Sequence, residues 1–357
     1  MLNMNNLRVG LIGVGNMSVM HYNSYKKLPG VEVTAICSRS ENTLRKRTDE
    51  WGVKKCFLRY EDMLKDEEID AVNIVTPNSL HAPIAIAALK AGKHVLCEKP
   101  PALNAEDAQK MANCARENKK VLMYGFMFRF AERTQMIREF YKKGMFGDIY
   151  YAKTGVLRRC GNPGGWFANK EMSGGGPLID VGVHVIDLAL YLMNDPIPVS
   201  VFGRTFNTIG KRDNIKDKVW YTAINADEYT NDVEDMTTAM INFKNGSCLH
   251  VEVSCSSHIK EDVTYLELLG DKGGVTVEPS LEIHTEMNDY LTDIRPRIDD
   301  EMFNYEKSVN NEISHFVDCI RKNTECISTP ENGVKIMKIV DAIYKSASIG
   351  ELVKING

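Results

Sequence analysis

Short apolar runs alternate with amphipathic segments through the first third of the chain. Residues 7–12, 31–37, 71–75, 94–97 and 121–125 form runs of four to seven residues dominated by Val, Ile, Leu and Ala. Runs of that length predict strands buried on both faces. Between them, residues 41–51, 81–91 and 104–118 carry apolar positions at helical spacing. The middle segment has Pro83 in its first turn and Gly92 just past its end, the punctuation expected of a helix. Buried strands joined by helices imply an α/β domain built on a parallel, doubly wound sheet.

After about residue 128 the pattern changes. A helix is expected over 132–143, then a glycine-rich loop, then a second helix over 178–193. Long alternating runs follow at 199–207, 237–243, 247–254, 263–269 and 275–277, with no helical segment between most of them. Asn245-Gly246 sits between two of these runs and is a strong hairpin signal. Consecutive strands without crossover helices predict an antiparallel sheet, hence an α+β domain. Residues 311–321 and 331–347 return to helical spacing, and the last helix is expected to pack back on the first domain. The predicted division is 1–127 for the first domain and 128–357 for the second.

At 357 residues the chain is more natural as two domains than as one core. A net charge of −4 with no long basic stripe argues against nucleic acid as a partner. The cluster Arg45-Lys46-Arg47 lies in a helical context and is expected to be a solvated face. No apolar run approaches the roughly 18 residues of a membrane span, and the N-terminus lacks a secretory pattern. The nine cysteines include no Cys-x-x-Cys, and their number is odd, so neither a disulfide framework nor a structural zinc site is expected. A reducing cytoplasm fits this composition.

Candidate chemistry begins at residues 10–18, GLIGVGNMS. Gly13 and Gly15 match the first two glycines of the G-x-G-x-x-G dinucleotide fingerprint, with Ser18 in place of the third. The first glycine permits a tight turn, the second lets a pyrophosphate approach the backbone, and the third keeps helix and strand close. Asn16 and Met17 follow at the helix start. The motif ends the first strand and opens a helix, which is the Rossmann context. At the end of the second strand an NAD site normally places an acid for the adenosine ribose. Here Ser38 and Arg39 stand instead. A hydroxyl and a guanidinium can hold a 2′-phosphate, so NADP is slightly favoured over NAD.

Two further stretches stand out. Residues 92–103, GKHVLCEKPPAL, run a strand straight into Glu98, Lys99 and two prolines. Residues 174–187, GGGPLIDVGVHVID, place Asp180 and His184 four apart, on one face of a helix. A histidine titrates near neutrality and suits taking a proton from an alcohol. The glycines before the pair allow another backbone or a ligand to come close.

Together, Gly13-x-Gly15, Glu98-Lys99-Pro100 and Asp180-x-x-x-His184, in that order, resemble the glucose-fructose oxidoreductase/inositol dehydrogenase (Gfo/Idh/MocA) family across essentially the whole chain. The resemblance implies a second domain with a large, open, mainly antiparallel sheet, often a subunit interface, and so a homo-oligomer, dimer or tetramer. It implies that Lys99, Asp180 and His184 converge on the substrate hydroxyl. It places Thr76, Pro77, Asn78 and His81 near the nicotinamide ribose. It gives Arg129, at the end of the sixth strand, a structural role or a place lining the substrate site. Ligands of doubly wound sheets bind outside the carboxyl ends of the strands. Glu98 and Lys99 lie at such an end, where Pro100 fixes the backbone and aims the lysine.

The expected activity is hydride transfer between NAD(P) and a ring hydroxyl or ketone of a sugar, glycoside or cyclitol. His184 is the favoured base, with Asp180 orienting it and Lys99 donating to the developing alkoxide. Lys99 as the base is the competing assignment. Arg159 and Trp166, in the loop before the glycine-rich segment, are candidate substrate contacts. No metal is expected. The rival readings are a glycosidase that oxidises its substrate transiently through NAD, and a non-catalytic nucleotide sensor.

Overall fold

A computed structural model describes residues 6–210, 212, 215–216, 231–298 and 304–355. The chain divides into two compact units, Met1–Ala131 with Asn304–Val334, and Glu132–Phe303 with Lys335–Gly357.

The first unit runs β1 (Leu7–Ile12), α1 (Asn16–Lys26), β2 (Val31–Cys37), α2 (Glu41–Trp51), β3 (Lys55–Phe57), α3 (Tyr60–Met63), β4 (Ala71–Ile74), α4 (His81–Lys90), β5 (His94–Glu98), α5 (Ala105–Asn118) and β6 (Leu122–Gly125). Its six strands lie in the order β3-β2-β1-β4-β5-β6. All pairs are parallel, giving the doubly wound arrangement with its switch point between β1 and β4. The central strands are mainly apolar because helices cover both faces: Val9, Leu11, Val72, Ile74, Val95 and Leu96 are all at 0% exposure. Helix ends follow local chemistry. The Ser40 side chain accepts from the Thr43 N–H at the start of α2, and Gly52 closes that helix in the left-handed region. Asn104 caps α5 in the same way, accepting from Asp107 at 2.8 Å. The sequence pattern did not predict β3 and α3, which are three and four residues long and too short to show a period.

The second unit runs α6 (Glu132–Lys142), β7 (Ile149–Leu157), α7 (Lys170–Ser173), one π turn (Leu178–Gly182), α8 (Val183–Leu192), β8 (Pro198–Phe206), β9 (Met236–Phe243), β10 (Cys248–Ser254), β11 (Val263–Gly270), β12 (Gly273–Glu278), β13 (Glu282–Met287) and β14 (Tyr290–Ile294). Helix α9 (Tyr305–Lys322) then belongs to the first unit, and α10 (Pro330–Ile349) and β15 (Val353–Lys354) complete the chain. Nine strands form one sheet in the order β14-β13-β12-β11-β7-β10-β9-β8-β15. Every pair is antiparallel except β7 with β10.

The predicted hairpin joins β9 to β10, with Gly246 at φ +87°. Alternation decides which face is covered: Thr237, Ala239, Ile241 and Phe243 point inward along β9. Strands β13 and β14 escaped prediction because most of their residues are polar and only Ile283 is buried, yet their turn is chemically legible. Asn288 and Asp289 both adopt positive φ, 51° and 66°, between paired Met287 and Tyr290. Lys170–Leu192 is long and apolar enough to cross a membrane by composition, but 83% of its 18-residue apolar window is buried inside the structure. Most of this stretch is therefore accounted for as core.

Candidate active site

At the carboxyl end of β1 the two glycines do different jobs. Gly13 has φ +90°, and a Cβ there would come within 2.1 Å of the Val75 carbonyl oxygen. Only glycine lets this turn pass beside the end of β4. Gly15 is the opposite case, since a Cβ there would meet nothing within 4 Å. It borders open space at the start of α1, where Asn16 and Met17 begin the helix. A helix N-terminus beside open space suits a pyrophosphate, so this turn fits a dinucleotide. Ser18 is fully buried and donates to the Gly15 carbonyl at 2.6 Å, bracing the turn that a third glycine would leave unbonded. At the end of β2, Ser38 Oγ accepts from the Ser40 N–H at 3.3 Å, while Arg39 is exposed.

The ends of β4 and β5 are tied to each other by His81. Its Nδ1 lies 2.7 Å from the Pro100 carbonyl and its Nε2 2.9 Å from the Thr76 carbonyl. The ring is fully buried, which lowers its pKa against the pull of the two carbonyls. His81 thus holds the loop of Thr76, Pro77 and Asn78 against the Lys99–Pro100 turn, and Asn78 is itself buried. The Lys99–Pro100 peptide is cis.

Glu98 is the anchor of that turn. Its Oε2 accepts from the Lys99 N–H at 3.1 Å, and its Oε1 lies 2.9 Å from His21 Nε2. Burial alone would push the carboxyl upward, but the His21 hydrogen bond and charge, then Lys99 and His81, hold it below the usual glutamate range. His21 Nδ1 sits 2.7 Å from Asn73 Oδ1, whose amide donates to the Leu96 carbonyl at 3.3 Å. Sequence reasoning did not single out His21 or Asn73. Asn73 was visible as the one polar residue inside the apolar run 71–75. His21 carried no signal, since nothing in a helix pattern tells which strand end its ring will meet.

In the second unit, Asp180 lies in the π turn and His184 in the first turn of α8. Asp180 lines a cavity with Arg158, Asn162, Phe167, Ser254 and Cys255. His184 is buried, 9% exposed. Behind the π turn, Glu234 accepts from the Gly176 N–H at 2.9 Å, the Leu178 N–H at 3.2 Å and the Tyr344 hydroxyl at 2.9 Å. Burial raises its pKa, and those hydrogen bonds only partly counter it. The glycines answer the same packing: a Cβ at Gly176 would meet the Glu234 carbonyl at 2.2 Å, and one at Gly175 the Tyr344 hydroxyl at 1.9 Å. Backbone and tyrosine therefore occupy the close approach that the glycine run predicted.

The predicted substrate residues are placed unevenly. Arg158 lines the cavity, whereas Arg159 turns away and donates to the Lys260 carbonyl at 2.7 Å. Trp166 stacks on Phe167 with ring centroids 3.8 Å apart, and it is Phe167 that faces the cavity. Arg129 is 3% exposed and donates to the Ile327 carbonyl and, at 3.1 Å, to Asn332. It braces the segment after α9.

Known proteins match both units. Residues 7–126 fit the Gfo/Idh/MocA model for the oxidoreductase family's NAD-binding Rossmann fold, and residues 138–355 fit the model for its C-terminal alpha/beta domain. A D-glucoside 3-dehydrogenase of Escherichia coli is 35% identical over 353 residues, covering 98% of this chain and 97% of that protein. A levoglucosan dehydrogenase of Pseudarthrobacter phenanthrenivorans is 28% identical over 298 residues, covering 76% and 73%. A solved levoglucosan dehydrogenase in complex with NADH superposes with a TM-score of 0.85 at 25% identity, over 99% of this chain and all of that one. The first unit thus carries the NAD-binding Rossmann fold and the second the C-terminal alpha/beta domain of a dehydrogenase, and the chain belongs to the Gfo/Idh/MocA oxidoreductase family.

Proposed function

We propose that the protein oxidises a ring hydroxyl of a sugar, with a glucoside as the favoured class, and accepts both NADP and NAD. The observation that carries the reading is the anchored lysine. Lys99 leaves the end of β5 with its own N–H fixed to Glu98, and Glu98 is fixed to His21. A lysine needed only for solubility has no use for a buried carboxylate and imidazole behind it. The extensive likeness to a D-glucoside 3-dehydrogenase supports the substrate class.

Gly13, Gly15, Asn16 and Met17 would hold the pyrophosphate, Ser38 and Arg39 the adenosine ribose or its phosphate, and the loop from Thr76 to Asn78 the nicotinamide ribose. The bound nicotinamide supplies the hydride acceptor. His184 takes the hydroxyl proton and Asp180 orients the imidazole and stabilises its cation. Lys99 donates to the oxygen as negative charge grows there, an interaction stronger in the transition state than in the ground state. Arg158 and Phe167, which line the cavity with Asp180, suit a hydroxylated ring with an apolar face. Two copies are proposed to associate through the open sheet, where Phe202, Phe206 and Val199 leave exposed apolar surface along β8. The proposed compartment is the cytoplasm.

The test is a panel of glucosides, free sugars and inositols, each with NAD and with NADP, followed at the absorbance band of reduced nicotinamide. Turnover with a glucoside is expected. Release of the aglycone with no net reduced nicotinamide would favour the glycosidase reading, and binding of nucleotide with no turnover on any member would favour the sensor.

A further inference from the structure

Helix α9 ends in a thiol pair that the dehydrogenase reaction does not use. His315 and Cys319 are one turn apart near the carboxyl end of α9, with Nε2 and Sγ 3.4 Å apart. Asn323 closes the helix in the left-handed region, at φ 56°, and reverses the chain. The reversal brings Cys326 back over the helix end. A ring nitrogen of His315 and the sulfurs of Cys319 and Cys326 all lie within 4.8 Å of one another. We propose that Cys319 and Cys326 form a reversible, peroxide-sensitive redox pair, with Cys319 as the attacking thiol, His315 as its base and Cys326 as the resolving thiol.

The three groups are not interchangeable. The Ile327 N–H donates to His315 Nε2 at 3.2 Å. An N–H can only donate, so Nε2 presents a lone pair, and the same lone pair faces the Cys319 thiol. Phe130 packs against the imidazole with ring centroids 5.3 Å apart and holds its plane. Cys326 has one S–H, shared between the Ser328 carbonyl, 3.3 Å from its Sγ, and the Cys319 sulfur, and this keeps it a thiol. The hydrogen bond from Cys326, with His315 alongside, brings the Cys319 thiol down to about 5, whereas Cys326 is pushed up. Of the two, Cys319 is therefore the thiol that gives up its proton more readily, and the thiolate is the nucleophile. His315 and Cys326 are only half-buried, while Cys319 is 3% exposed, so access to it is restricted to small reagents.

A small hydroperoxide supplies the two oxidising equivalents. Cys319 Sγ attacks the outer oxygen, the O–O bond breaks, and the departing alkoxide takes the proton that His315 received. The product is a sulfenic acid. Cys326 Sγ then attacks Cys319 Sγ, the S–O bond breaks, and hydroxide leaves with the Cys326 proton as water. Two thiols lose two electrons, and one peroxide becomes one alcohol and one water. The cluster also has soft-metal donors, but it offers three ligands where a structural zinc takes four. The cationic Arg129 also bonds the carbonyl next to Cys326. Those features favour thiol chemistry over a cation.

The test uses the full chain, reduced and freed of small thiols, with one equivalent of hydrogen peroxide, alkylation and tryptic mapping. Trypsin cuts between the cysteines at Arg321 and Lys322, so oxidation should join the two peptides with loss of two hydrogens before the other cysteines react. In Cys326→Ser a dimedone-reactive sulfenic acid should accumulate at Cys319. In His315→Gln, which keeps both thiols, Cys319 should alkylate at pH 7 on the order of tenfold more slowly, as its thiolate fraction falls. The proposal is overturned if the two peptides remain separately alkylable while other cysteines oxidise. It is equally overturned if the purified protein holds one zinc per chain that blocks both thiols. None of these readings needs substrate, so they stand apart from the fate of the proposed dehydrogenase activity.

Discussion

Glu98 in the first unit and Glu234 in the second are buried carboxyls near candidate site residues, and they are held by opposite means. Glu98 faces an imidazole and a lysine backbone N–H, and its carboxyl is held below the ordinary range. Glu234 faces two backbone N–H groups and a tyrosine hydroxyl, and burial holds its carboxyl above that range. A partner with charge offsets desolvation of a carboxylate, whereas neutral dipoles offset only part of it. The lysine end is therefore anchored by a carboxyl that its imidazole and lysine neighbours hold down, and the dyad end by hydrogen bonds to a carboxyl that burial holds up. The first arrangement aims a side chain, and the second shapes a backbone turn.

The sharpest break between the two units is expected from Gly15→Val. The position faces open space, so the variant should fold and melt like the parent without nucleotide. Nucleotide binding should be lost, because the β-branched side chain occupies the space of the pyrophosphate. Isothermal titration and a melting curve decide it together, and normal affinity would place the nucleotide elsewhere.

Next in size are the groups proposed for chemistry. Lys99→Met, Asp180→Asn and His184→Ala should each lower kcat roughly a hundredfold or more, the range of general acid–base groups. Cofactor affinity should move far less in the two dyad variants. Near-parental turnover in any two of the three would remove the assignment.

The glutamates themselves give the most direct comparison. Glu98→Gln should cost about 2 kcal/mol near neutrality, as a charge-assisted hydrogen bond is lost. Because the folded pKa of Glu98 is depressed, its contribution is present above the ordinary value of 4.5 and fades as pH falls below it. For Glu234 the folded pKa is raised, so its contribution is present below 4.5 and fades as pH rises through the folded value. Denaturant midpoints for parent, Glu98→Gln and Glu234→Gln should therefore give difference curves of opposite slope, the Glu98 curve changing below 4.5 and the Glu234 curve above it. Parallel curves would show that the two anchors are alike.

The smallest effect is cofactor preference. Ser38→Asp should shift the ratio of kcat/KM for NADP over NAD toward NAD by about tenfold, from one charged hydrogen bond gained or lost. A parent that already prefers NAD by more than about tenfold would make Arg39 a bystander.

The sequence alone carried a good deal of this. Continuous apolar runs with helical segments between them dictate a parallel sheet, because strands covered on both faces have no polar positions to spare. Gly13 and Gly15 in their strand-to-helix context, Glu98-Lys99-Pro100, and the Asp180 and His184 spacing are local patterns, and all of them were legible. Alternation along β9 and the Asn245-Gly246 turn announced the second sheet for the same reason. Other features depended on contacts between distant segments. His21 meets Glu98 across 77 positions of chain, and Glu234 reaches Gly176 across 58. Arg158 rather than Arg159 lines the cavity because the strand pleat and the loop after β7 decide which neighbour points in. Ser18 turned out to brace its turn with a hydrogen bond where the fingerprint asks only for a small residue. Short-range pattern reports a residue's own backbone preference and its exposure. Which buried acid meets which base is settled only when the sheets close and desolvation forces every buried charge to find its partner.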